Sequence, residues 1–172
     1  MPKNRSRSKF PLFVLVCAVV FGLASCDGDR VYESYTDIPG AAWREDFKPE
    51  FEVEIADTAR AYNVILNIRN HKDYPYRNLW LLLETGYPDG NTSLDTMDLY
   101  FNDELGRELG KCSGGSCENA FLVNRKGPVK FPYSGTYTFR FSQLMRAPEE
   151  GLQHISNLGL RVEYTNASNP VK

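Results

Sequence analysis

Histidine is almost missing from this chain: His71 and His154 are the only two among 172 residues. Neither lies near a G-x-S-x-G elbow, so no nucleophile and base stand together as a hydrolase site requires. His71 sits in the polar turn Arg69-Asn70-His71-Lys72-Asp73 and His154 in Leu152-Gln153-His154-Ile155, where a solvated or loop-covering ring is the ordinary role. An excess of basic charge is missing too. The 20 Lys and Arg face 22 Asp and Glu, whereas a nucleic-acid surface needs a basic stripe to displace counterions. Ser113-Gly114-Gly115-Ser116 lacks the Gly-Lys-Ser/Thr of a phosphate loop, and Asp95, Asp98 and Asp103 lack the spacing and central glycine of an EF-hand. Glu50, Glu52 and Glu54 share one face of a strand, where three like charges form a solvated surface rather than an acid and base pair. No enzyme, cofactor, metal or nucleic-acid partner is expected from these residues.

Long apolar runs are also lacking. The segment Phe10 to Leu23 is shorter than the ~20 residues that span a bilayer. It follows Lys3, Arg5, Arg7 and Lys9 and leads into Leu23-Ala24-Ser25-Cys26, the layout of a secretory signal. A cleavage site ending in Cys resembles a bacterial lipobox. Residues 1–25 are therefore expected to be a lipoprotein signal peptide, with Cys26 the new N-terminus and the lipidation site, palmitate among its acyl chains. Several chains, at ~0.8 kcal/mol per buried CH₂, hold a protein on a membrane almost permanently. Loss of residues 1–25 removes four basic residues and leaves 16 against 22 acidic ones, a charge of −6.

Cysteine is scarce, with four in all. Cys17 departs with the signal and Cys26 is acylated, leaving Cys112 and Cys117 around a flexible Gly-rich loop. In an oxidising compartment they are expected to form a local disulfide. Zinc would need two further ligands, and neither histidine has the spacing to supply one.

Residues 26–46 are short on aliphatics and read as lipid anchor and tether, with Tyr32, Tyr35, Ile38 and Trp43 laying the second half against the domain. From residue 47, period-two alternation recurs. It is clean in Glu50–Ile55 and Thr136–Phe141, and doubly apolar around Ile65, which marks a central strand. Leu79-Trp80-Leu81-Leu82-Leu83 is apolar on both faces, but its flanking turns favour a strand. Further strands are expected at Leu94–Phe101, Phe121–Val123, Val129–Phe131 and Leu158–Val162, and one turn or short helix at Pro148–Ile155. About eight strands predict an all-β antiparallel β-sandwich, jelly-roll-like or immunoglobulin-like, over residues 47–165, with a polar tail at 166–172.

Aromatics supply the best lead to function. Rings carry binding energy at low entropic cost, so Trp43, Tyr74 and Tyr76 are candidate contacts for a protein partner or a glycan. Tyr74 and Tyr76 flank Pro75 and are expected to be exposed, whereas Trp80 is expected in the core.

Several segments in order resemble the gliding-motility lipoprotein GldH family of the Bacteroidetes. They are Cys26-Asp27, Tyr32-Glu33, Trp43, Tyr62-Asn63, Ile68-Arg69-Asn70, Tyr74-Pro75-Tyr76-Arg77-Asn78-Leu79 and Asp95-Thr96, then Gly135-Thr136-Tyr137-Thr138-Phe139, Gln143-Leu144-Met145-Arg146 and Leu158-Gly159-Leu160-Arg161-Val162-Glu163. The resemblance implies a cell-envelope lipoprotein without known catalytic residues, an accessory of gliding and type IX secretion, on the outer membrane facing the periplasm. Its partners would be envelope proteins of that apparatus. A glycan-binding surface lipoprotein of a polysaccharide-capture system is the alternative. Asp57-Thr58-Ala59 and Asp95-Thr96-Met97 also resemble the O-glycosylation signal of that phylum, with Thr58 and Thr96 as acceptors.

Overall fold

Alternation in Glu50–Ile55 turns Phe51, Val53 and Ile55 inward and leaves the three glutamates in water, so the segment is a strand with one wet face. The same logic builds the rest of the chain. In the computed structural model, which describes residues 29–165, the strands are β1 (Arg30–Asp37), β2 (Ala42–Trp43), β3 (Glu50–Ile55), β4 (Tyr62–His71), β5 (Asn78–Gly86), β6 (Thr92–Tyr100), β7 (Lys111–Ser113), β8 (Ser116–Leu122), β9 (Gly135–Gln143), β10 (Leu152–Gln153) and β11 (Ile155–Tyr164). Among the described residues there is no α-helix, only a 3-10 turn at Pro39–Ala41.

Two antiparallel sheets face each other. One runs β1-β11-β4-β8-β7 and the other β3-β9-β5-β6, while β2 and β10 pair separately. Hairpins within a sheet join β5 to β6 and β7 to β8. β4 is central, as its two apolar faces imply. Val64, Leu66 and Ile68 from β4 and Leu158, Leu160 and Val162 from β11 meet Phe51, Val53, Leu79, Leu81, Leu83, Tyr137, Phe139 and Phe141 from the opposite sheet. The buried Tyr137 hydroxyl donates to the Tyr133 carbonyl at 3.0 Å and accepts from the Tyr133 N–H at 3.1 Å, so its polar end is satisfied inside.

The expected β-sandwich is present, but with eleven strands rather than about eight. The stretch expected to be a tether contains β1, which pairs with β11 from Arg30 to Asp37. Its Val31 and Tyr32 are half-buried against the core, and mixed alternation in Val31-Tyr32-Glu33-Ser34-Tyr35 hid it. Pro148–Ile155 holds no helix: the Gly151 N–H closes a turn on the Pro148 carbonyl, and β10 follows. Val129–Phe131 makes a single bridge, Tyr62 to Val129, rather than a strand. Residues 1–25, Cys26 and the tail 166–172 lie outside the described residues.

Candidate functional site

Two of the three aromatics expected to meet a partner belong to the core. Trp43 on β2 is 0% exposed, and its indole N–H donates to the Phe47 carbonyl at 2.8 Å, so neither its face nor its polar edge is free. Tyr74 is 8% exposed. Its ring packs edge-on against Phe101, its hydroxyl donates to the Asn78 carbonyl at 3.0 Å, and burial pushes its pKa up. Tyr76 is 37% exposed and its hydroxyl reaches the Arg146 carbonyl at 3.4 Å.

Trp80 reverses the expectation in the other direction. On β5 the odd-numbered Leu79, Leu81 and Leu83 point inward, which sends Trp80 and Leu82 to the outer face. Trp80 is 42% exposed. The Leu144 N–H donates to the Trp80 carbonyl at 2.9 Å, which sets the exposed Leu144 beside it. Across β6, Asp98 lies opposite Trp80, Thr96 opposite Leu82 and the exposed Leu94 opposite Glu84. Tyr100 follows opposite Asn78, with the Arg77 guanidinium 5.0 Å from its ring centre. The acidic Asp98 is the leading cause that raises the Tyr100 pKa. One end of the outer face of the four-stranded sheet thus groups the exposed Trp80, Leu144 and Tyr100 around Asp98, whereas Leu94 lies in the row of Glu84. At the other end Arg140 donates to both Glu50 and Glu84 at 2.6 Å, and Thr136 to Glu54 at 2.7 Å.

The remaining candidates fall elsewhere. Cys112 and Cys117 are joined as a disulfide across the β7–β8 hairpin, with Cα atoms 4.0 Å apart. Among the described residues one group of three metal-donor side chains converges, Glu108 with Cys112 and Cys117. The sulfur–sulfur bond removes both thiolates that a metal would need. The His71 ring lies 5.7 Å from that of His154, and its Nδ1 is 3.1 Å from the Asp73 carboxylate. Thr58 is exposed in the β3–β4 turn, where the Asp57 carboxylate accepts the Ala59 N–H at 2.8 Å. Thr96 is exposed on β6.

Relatives share this whole unit. A family model described as GldH lipoprotein matches residues 30–162. The chain belongs to the GldH lipoprotein family. A gliding motility lipoprotein GldH homolog of Christiangramia forsetii is 33% identical over 162 residues, covering 91% of this chain and 97% of that protein. The gliding motility lipoprotein GldH of Flavobacterium johnsoniae is 30% identical over 155 residues, covering 87% and 94%. The matched stretch of the GldH family begins where β1 begins and ends inside β11, so the paired β1–β11 edge is part of the family unit.

The sequence did not single out Leu144 or the outer role of Trp80. The parity of Leu79, Leu81 and Leu83 was the available signal, since three leucines in one register claim the core and assign Trp80 to the opposite face.

Proposed function

We propose that this chain is a lipid-anchored, non-catalytic docking protein of the cell envelope, an accessory component of a gliding-motility or type IX secretion apparatus. It is held by acylated Cys26 on the outer membrane, facing the periplasm. Family membership and the signal-like segment before Cys26 support the anchor and the compartment. The observation that carries the docking role is the Trp80–Leu144 group. Large exposed rings and leucines gathered on one sheet face mark protein contact sites, and tryptophan leads the residue types that dominate binding energy.

The test is a pull-down of the native lipoprotein from detergent-solubilised outer membrane, beside Trp80→Ala and Leu144→Ala. Loss of a central interface tryptophan costs about 2 kcal/mol or more, roughly 30-fold in affinity. Envelope proteins of the motility or secretion machinery should be retained by the unaltered chain and lost from Trp80→Ala. Equal recovery by all three forms, or recovery of none of these proteins, contradicts the reading.

A further inference from the structure

The opposite sheet carries a second feature. On the outer face of β1, β11, β4 and β8 the strand registers align Tyr35, Gly159, Asn67 and Ala120 in one row. The Tyr35 ring lies over Gly159, and Ala120 is too small to fill its place, so the row sinks at Ala120. The row beside it holds Asn157, Arg69 and Glu118, and Arg161 stands on the other side. The chain at 109–111 walls one edge, and together they enclose a groove of about 580 Å³. That is within the ~300–1,000 Å³ of small-molecule sites.

Tyr35 is placed as a platform. A Cβ on Gly159 would lie 2.3 Å from its ring carbons, so the ring rests directly on the glycine backbone. The residue is still 53% exposed, and its hydroxyl is held by Glu33 at 2.8 Å. A ring backed by the sheet and open to solvent offers an apolar plate at little entropic cost. Around it, Asn67 spends one N–H on the Tyr35 hydroxyl at 3.5 Å and Asn157 one on Asp37 at 2.7 Å. Each amide keeps a second N–H and a carbonyl oxygen to offer.

Two of the three basic residues of the groove are ion-paired. Arg69 is paired with Glu118, and the Arg161 Nε lies 3.2 Å from Glu163. Lys111 on the wall is a single ammonium, short of the guanidinium cluster that an oligoanion recognises. An apolar plate ringed by donors and acceptors whose charges are mostly paired fits a ligand that alternates C–H faces with hydroxyls.

We infer that this groove binds an oligosaccharide chain, one sugar face stacked on Tyr35 and its hydroxyls bonded to Asn67, Asn157 and the Arg69–Glu118 pair. The chain could be a free polysaccharide or the glycan strand of peptidoglycan, which share this chemistry. Tyr100 lines the edge of this groove and also borders the Trp80 face, so variants at Tyr35 and at Trp80 are what tell the groove from the docking role.

Affinity electrophoresis of the purified full-length lipoprotein tests this, in gels containing soluble β-glucan, α-glucan or mannan, or glycan strands released from peptidoglycan by an amidase. Retardation by at least one probe is expected, and which probe retards distinguishes the two sources. Tyr35→Ala should weaken binding at least tenfold. Ala120→Trp should do the same by filling the trough while removing no contact, and it decides the matter if Tyr35→Ala fails to fold by circular dichroism. Trp80→Ala should bind as the unaltered chain does. No retardation by any probe, or retardation that survives both groove variants, overturns the assignment.

Discussion

Removing the Asn119 side chain should destabilise the sandwich by about 2–3 kcal/mol, because it strands a buried partner. Asn119 on β8 and Asn70 on β4 both point inward, at the end of the sheet where the disulfide lies. Their side chains meet in a buried hydrogen bond of 2.8 Å from Asn119 Nδ2 to Asn70 Oδ1, and Asn70 Nδ2 continues to the His71 carbonyl at 2.9 Å. Asn119→Ala leaves a buried carbonyl oxygen without a donor, a loss of about 1–3 kcal/mol, and full burial of the pair puts it in the upper part of that range. A domain of this size loses roughly 3–4 °C in Tm per kcal/mol, so a fall of roughly 6–12 °C is expected. The decisive assay is a double-mutant cycle by urea denaturation, using a soluble form that begins at Asp27. Asn70→Ala/Asn119→Ala should cost about 1–2 kcal/mol less than the two single losses together, since the double variant orphans neither partner of the pair. Strict additivity, or a loss under about 0.5 kcal/mol for Asn119→Ala, would refute the claim that satisfaction of this pair is what counts.

Further outcomes follow from the same geometry. Trp43→Ala should cost about 3–5 kcal/mol as a core truncation, while Trp80→Ala stays within about 1 kcal/mol of the unaltered chain; equal costs in urea melts would sink the assignment of the two tryptophans to opposite roles. Replacing Cys112 and Cys117 by serine should cost about 2 kcal/mol, the chain-entropy value for so short a loop, and a loss above about 4 kcal/mol would mean that the bridge holds more than its hairpin. The Arg107 backbone N–H, with the Arg107 guanidinium and the Leu105 N–H, holds the Asp103 carboxyl below its usual range. Its contribution to the 102–109 turn is therefore complete above the ordinary value of ~3.9 and fades as pH falls through it toward the lowered one. The Leu105 and Arg107 amide resonances should shift with a midpoint below that value, and a midpoint above it contradicts the assignment. If Thr58 and Thr96 carry glycan, the mass of the protein from its native envelope exceeds that of peptide plus lipid, and an exact match to that sum removes the idea.

The sandwich was legible because several of its strands alternate cleanly. Phe51-Val53-Ile55 and Tyr137-Phe139-Phe141 each alternate with polar residues, and the doubly apolar β4 read as central. β1 was not legible, since as an edge strand its burial pattern is mostly half-buried and gives no clean alternation. Local sequence also misjudged the aromatics. Trp43 stands before the charged Arg44-Glu45-Asp46 and outside any alternating run, yet pairing of β2 with β10 draws it under the end of the sandwich. The Tyr74-Pro75-Tyr76 turn looked open, yet Phe101 covers Tyr74 from a distant part of the chain. The groove was out of reach for a related reason. Tyr35, Asn67, Ala120 and Gly159 become neighbours only once the register of four strands is known.

The docking role proposed above puts the outer face of the four-stranded sheet, around Trp80, against another envelope protein. A photo-crosslinking amino acid placed at position 80, 144 or 54 of the lipidated protein in living cells tests it most directly. Positions 80 and 144 should capture the same motility or secretion component, with position 54, at the glutamate end of that sheet, capturing none. Capture that is equal at all three positions, or absent from 80 and 144, would contradict the account.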